Sequence, residues 1–207
     1  MKPNPASRHH KPALTNPVVF DTMPGDDPAD VVEAAHRTAA ILVGRGRNNE
    51  DPDVSERLIE LVPEVGLATL AELWADRPAR SLPGALWRLY LLHEWVQRAP
   101  VEVARAYTAG AAHADVYRVI AGVTEPPQPS DLRDLTSSIL SGVFAGDLRV
   151  ALERGAAFAH VAAIGLADPA AGVDEVSPEE VRRARRMQDM ARDLHACAGL
   201  WDRGDLV

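Results

Sequence analysis

Seven histidines, a single cysteine and a scatter of carboxylates are the side chains of this 207-residue chain that could hold a metal or move a proton. Glu33-x-x-His36 is the sharpest pairing. In ferritin-like bundles such a pair places two ligands on one helix face, but that site needs two copies and two further glutamates. One copy is present, so it reads as a polar pair on a helix and not as half of a di-metal centre. His93, His113, His160 and His195 each fall on a predicted helix. None has a partner at ligand spacing, so each reads as a hydrogen-bonded histidine in or near the core. His195 and Cys197 are two residues apart and do not face each other on a helix, which excludes a Cys–His catalytic pair. One cysteine excludes an intramolecular disulfide and a zinc ribbon or finger.

Tyr90, His93, Glu94 and Gln97 fall at i, i+3, i+4 and i+7 and make one polar stripe on an otherwise apolar helix. The stripe is either that helix's solvent face or the lining of a small pocket. The solvent face is preferred, and the four residues are the candidate ligand-binding set under the other reading. Arg182, Arg183, Arg185 and Arg186 could meet phosphate. Glu179, Glu180, Asp189 and Asp193 neutralise them at helical spacing, Arg185 with Asp189 among them, so a solvated charged face is preferred to a nucleic-acid site. No nucleophile elbow, P-loop, His-Glu-x-x-His or dinucleotide fingerprint is present. No catalytic residue, metal ligand or cofactor is assigned.

The element that must position the stripe is Ser81–Arg98, SLPGALWRLYLLHEWVQR, with Pro83 and Gly84 at its start and Pro100 beyond its end. Leu86, Trp87, Leu89, Leu91, Leu92, Trp95 and Val96 cover most of a helix's circumference, which predicts a helix surrounded by others. It is too short and too charged to span a membrane. It is expected to be the central helix of a soluble bundle, with Trp87 and Trp95 largely buried.

Other helices follow from local signals. Asp27-Pro28 starts one whose stripe is Val31, Val32, Ala35, Ala39 and Leu42, with Gly44 as its stop. Asp53-x-x-Glu56 is a capping-box pattern, and Leu67 to Trp74 make a short amphipathic helix. Pro100 starts a helix with a possible break at Gly110. A short one carries Val116, Val119 and Ile120 at apolar spacing and ends at Gly122. Leu132, Leu135, Ile139 and Val143 describe another. Asp147 can cap the next, whose Ala151, Gly155, Ala159 and Ala162 form a seam for close helix contact. Ser177-Pro178-Glu179-Glu180 is the strongest signal: a cap, a proline at the first position and a capping-box glutamate. Beyond it Ala184, Met187, Ala191, Leu194, Ala198 and Trp201 repeat at heptad spacing, too briefly for a free coiled coil.

Composition bounds the rest. The chain is 46% hydrophobic but 5% aromatic, so the core must be Leu, Val and Ala. Its formal charge of −8 argues against non-specific binding of nucleic acid or anionic membrane. The first 26 residues hold Pro3, Pro5, Pro12, Pro17 and Pro24 and no apolar run resembling a signal peptide. They are expected to be a disordered tail, with Val18-Val19-Phe20 able to dock on the body or a partner. Thr124–Ser130, TEPPQPS, is a Pro-rich internal linker at 124–130.

GALWRLYLLHEWV, with LAELWADRPARSLP before it and PVEVARAYTAG after it, resembles a family of small uncharacterised actinobacterial helical proteins. Members have at times carried labels borrowed from RNA polymerase subunits or thymidine phosphorylase. Neither label fits: the chain is far too short for a large polymerase subunit, and no phosphorolysis motif is visible. The resemblance spans about Asp30 to Gly165 and carries no functional residues with it.

The expected fold is all-α: a single-core multi-helix bundle of about seven to nine helices at 27–207, behind a disordered N-terminal tail at 1–26. The expected function is non-catalytic and regulatory, acting through contacts with a protein partner or as a homodimer, in the cytoplasm. Nucleic acid and membrane are not expected partners. The alternative is a small-ligand-binding or metal-assisted helical enzyme using the polar stripe.

Overall fold

The computed structural model of the chain describes residues 28–47, 69, 73–122, 128–144, 146–168 and 177–207. Among them there is no strand. The elements are α1 (Pro28–Arg47), α2 (Leu82–Arg98), α3 (Pro100–Ala111), α4 (Asp115–Ala121), α5 (Pro129–Phe144), α6 (Leu148–Leu166) and α7 (Pro178–Arg203), with a helical turn at 73–75 before α2. The fold is an all-α bundle around one hydrophobic core. The tail at 1–26, the Asp53-x-x-Glu56 cap and residues 124–127 of the Pro-rich stretch lie outside the described residues.

The centre of the bundle is α6, not α2. α6 packs against α2, α3, α4, α5 and α7. Leu148, Ala151, Leu152, Gly155, Ala156, Ala157, Phe158, Ala159, Val161, Ala162, Ala163 and Gly165 are all buried along it. A helix so rich in alanine and glycine lets neighbours approach closely and is buried along most of its length, whereas α2, which meets as many helices, keeps Trp87, Tyr90 and Trp95 at the edge of the core. α2 buries one face, Leu82, Ala85, Leu86, Leu89, Leu92 and Val96. Leu91 is 36% exposed, and Trp87 and Trp95 are half-buried against the core's edge, less than the sequence suggests.

α3 and α6 cross with their backbones in contact. A Cβ on Gly110 would stand 1.9 Å from the Val161 carbonyl oxygen, and one on Gly165 would stand 1.6 Å from that of Ala106. The two glycines face each other, so the backbones touch where side chains would hold them apart. Gly110 stands in the last turn of α3, which ends at Ala111 one residue beyond it, and the crossing with α6 needs a residue without a Cβ there. Gly44 does not stop α1, which continues to Arg47.

Where the sequence marks ends well, the structure follows. Ser177 accepts from the Glu180 amide, and Glu180 accepts from the Ser177 amide in a complete capping box. Ser81 caps α2 by accepting from the Gly84 amide. Gly122 and Gly204 close α4 and α7 with positive φ of 75° and 76°, a conformation glycine adopts without a Cβ penalty. Asp147 occupies the cap position of α6 but makes no side-chain hydrogen bond there. Beyond α7 the chain turns back: Leu206 is buried, and the Leu82 amide donates to the Val207 carbonyl at 2.8 Å. α7 is held to α2 by Arg80 and Arg88, at 3.2 and 3.6 Å from the Asp193 carboxylate.

Candidate functional site

The stripe residues of α2 lie half-buried along the edge of the bundle. Tyr90 packs on Trp87, with ring centroids 5.6 Å apart, and Glu94 pairs with Arg98 at 2.8 Å. Burial, then the neighbouring Glu94 charge, pushes the Tyr90 phenol above its ordinary value. Burial pulls the His93 imidazole below its ordinary value, with Glu94 working against it. His93 Nδ1 and Trp95 Nε1 have no hydrogen-bond partner among the described residues. Gln97 is half-buried beside them. The two hollows described below are lined by other residues.

Most of the remaining charged candidates are held in ion pairs. Glu33 is engaged by Arg37 one turn on. His36 lines a hollow of about 300 Å³ with Ala40, Val43, Leu82, Trp201 and Leu206. Arg182 and Arg186 both pair with Glu179, and Arg183 pairs with Glu102 while lying over the Trp95 ring at 5.2 Å. Asp189 pairs with Arg192, three residues on, in place of the Arg185 that the spacing also offered. Cys197 is buried and donates to the Ala79 carbonyl. Burial foremost, then the Asp193 charge, raises its thiol to about 11, which makes it inert. Among the described residues no group of three or more His, Cys, Asp or Glu is placed to hold a metal.

One surface combines features that the rest of the molecule keeps apart. Glu153, Ala156, Ala157 and His160 of α6 fall at i, i+3, i+4 and i+7, and so do Gln188, Ala191, Arg192 and His195 of α7. The alanines leave space where larger side chains would close it. The result is a hollow of about 290 Å³, walled on its third side by Tyr117 and Ile120 of α4. The Gln188 amide and His160 Nδ1 lie within hydrogen-bonding distance at 3.2 Å. The Tyr117 ring lies 4.0 Å from the His160 ring, and burial pulls the imidazole below its ordinary value. His160 thus forms one wall of the hollow.

Beside this hollow α4 turns its apolar side outward. Val116 is 68% exposed, Tyr117 44%, Val119 74% and Ile120 44%. The sequence places Val116, Val119 and Ile120 on one short helix without fixing which way they face, and the structure turns them outward. α4 is anchored by buried Ala114 before it and Ala121 at its end, both small enough to sit flush against neighbouring helices. Of the other large apolar side chains exposed among the described residues, Val32, Leu91, Val101, Val150 and Val181 stand one to a helix, and Val207 lies at the C-terminal end beyond α7. Single exposed side chains are ordinary, whereas four on one seven-residue helix form a patch. A flank of four apolar residues is visible in the sequence. Its direction is not, since a stripe that short fits a core or a contact equally well.

No family model matches the chain, and neither a curated protein nor a solved structure matches it.

Proposed function

We propose that this protein works by contact with another protein chain and that α4 is its docking element. The observation that carries the reading is the outward row Val116, Tyr117, Val119 and Ile120, four exposed apolar residues on one short helix. Apolar area left in water on a folded chain is a standing cost of roughly 25 cal/mol per Å², which a docked partner removes. The chain's acidic balance, formally −8, supports a protein partner over nucleic acid.

The test is a photo-crosslinking residue placed at position 119, with position 133 on α5 as the exposed charged control. Irradiation in native lysate should give a reproducible protein adduct, with a second copy or another chain, from 119 and none from 133. Equal labelling from both positions, or none from 119, refutes the reading.

A further inference from the structure

We infer that the hollow beside His36 is the seat of this chain's own Val18-Val19-Phe20. Ala40, Val43 and Gly44 of α1, Leu82 of α2, Trp201 of α7 and Leu206 beyond it line about 300 Å³ of space. It shares no residue with the α4 surface. The His36 imidazole is the one polar side chain among these lining residues. A Cβ on Gly44 would meet nothing within 4 Å, so there is open space over α1 at that point.

Reach selects the occupant. Phe20 stands eight residues before Pro28, the first residue of α1. Eight residues of chain span at most about 26–29 Å. At 1.5 Å per residue, His36 lies about 12 Å and Val43 about 22 Å along α1 from Pro28. Phe20 can therefore run back beside α1 and meet the whole α1 wall of the hollow. The chain that follows α1 returns on the other side of that helix. There the Trp74 indole donates to the Thr38 hydroxyl at 3.2 Å, and Thr38 stands about 200° round the helix from His36.

Chemistry and charge agree with reach. Among the first 27 residues Val18-Val19-Phe20 is the one run of three apolar side chains, and Phe20 is the one aromatic. Lys2, Arg8 and Lys11 are the only Lys, Arg, Asp or Glu in the first 20 residues. The acidic excess behind the formal −8 therefore lies wholly beyond Phe20. Opposite net charge draws the segment to the body, and removal of Val18 and Phe20 from water holds it in an apolar hollow.

The experiment is disulfide trapping in the full chain. Asp21→Cys puts a thiol beside Phe20, and Ala40→Cys puts its partner at an exposed position on the wall of the hollow. Ala34→Cys is the control, nearer to Pro28 along α1 but about 120° round the helix from Ala40. Cys197 stays out of the exchange, because it is buried and its thiol is raised to about 11. Docking raises the local concentration of the first thiol, so in dilute protein the 21–40 pair should close within one chain roughly tenfold faster than the 21–34 pair, or more. Adding Phe20→Ser should remove most of that difference, with helical circular dichroism unchanged. Equal rates for the two pairs overturn the inference, as does a 21–40 rate indifferent to Phe20→Ser. A 21–40 disulfide that forms only between chains, seen as a covalent dimer, overturns it as well and gives the hollow to a second copy's segment.

Discussion

Replacing the two glycines at the α3–α6 crossing is the sharpest probe of how this bundle is held. In an open helix interior Gly→Ala stabilises by about 1 kcal/mol. Gly110→Ala should do the reverse. Its Cβ would lie 1.9 Å from the Val161 carbonyl oxygen and 2.9 Å from the Gly165 amide nitrogen, and both are backbone atoms that cannot swing aside. The helices must part by about 1 Å, and overpacking of this kind costs typically 1–3 kcal/mol, occasionally more. The clash here is at the severe end, so a penalty of about 3 kcal/mol or more outweighs the propensity gain and leaves a net loss of at least ~2 kcal/mol. Gly165→Ala, at 1.6 Å from the Ala106 oxygen, should lose as much or more. Once one Cβ has parted the helices the other meets a wider gap, so the double variant should lose less than the sum by ~1 kcal/mol or more. Gly44→Ala is the control of opposite sign. Its Cβ would meet nothing within 4 Å, so it should stabilise by about 0.5–1 kcal/mol. Urea unfolding followed by the fluorescence of the four tryptophans measures all four proteins. A Gly110→Ala protein as stable as wild type, or strict additivity in the double variant, would refute the crossing described here.

Other expectations follow from buried polar groups and caps. Tyr107 is stacked on Phe158 with ring centroids 5.1 Å apart, its hydroxyl has no partner among the described residues, and burial raises it to about 12. A raised folded value means its contribution is whole below about pH 10 and is lost as pH climbs toward 12. Two units correspond to roughly 3 kcal/mol, so urea midpoints at about pH 9 and about pH 11.5 should diverge less in Tyr107→Phe than in wild type. At the acid end, His93 is depressed below its unfolded value, so the unfolded chain takes up the proton first and stability falls as pH drops below about 6.5. His93→Gln should flatten that slope, and an unchanged slope in thermal melts would count against a buried, neutral His93. Ser177→Ala removes the acceptor for the Glu180 amide and should cost about 1 kcal/mol in the same unfolding assay.

The all-helical class was legible because helix punctuation is local chemistry. Ser177-Pro178 with Glu180, and Gly204 at the far end, delimit α7 through groups within one turn of each other, so a reading of neighbouring residues suffices. The buried register of α7, Ala184, Met187, Ala191, Leu194 and Ala198, was legible for the related reason that a seven-residue repeat over more than two heptads fixes a single face. The polar stripe of α2 was legible as a stripe, and the structure adds where each of its members lies.

What needed the tertiary structure was every question of which helix meets which. Bulk and hydrophobicity along Ser81–Arg98 pointed to α2 as the centre, yet enclosure is decided by how near neighbours can come, and the slender α6 wins that contest. Gly110 looks like a flaw in a helix until Gly165, 55 residues later, is seen to face it. The alanines at 156, 157 and 191 leave a hollow because two distant helices bring their small faces together and α4 walls the third side. Whether Val116, Val119 and Ile120 look inward or outward depends on which of α4's sides finds a surface to rest on, and two alanines settled it. Spacing along the chain determines that a face exists; the partners that cover it, or leave it bare, are set by contacts between residues far apart in sequence.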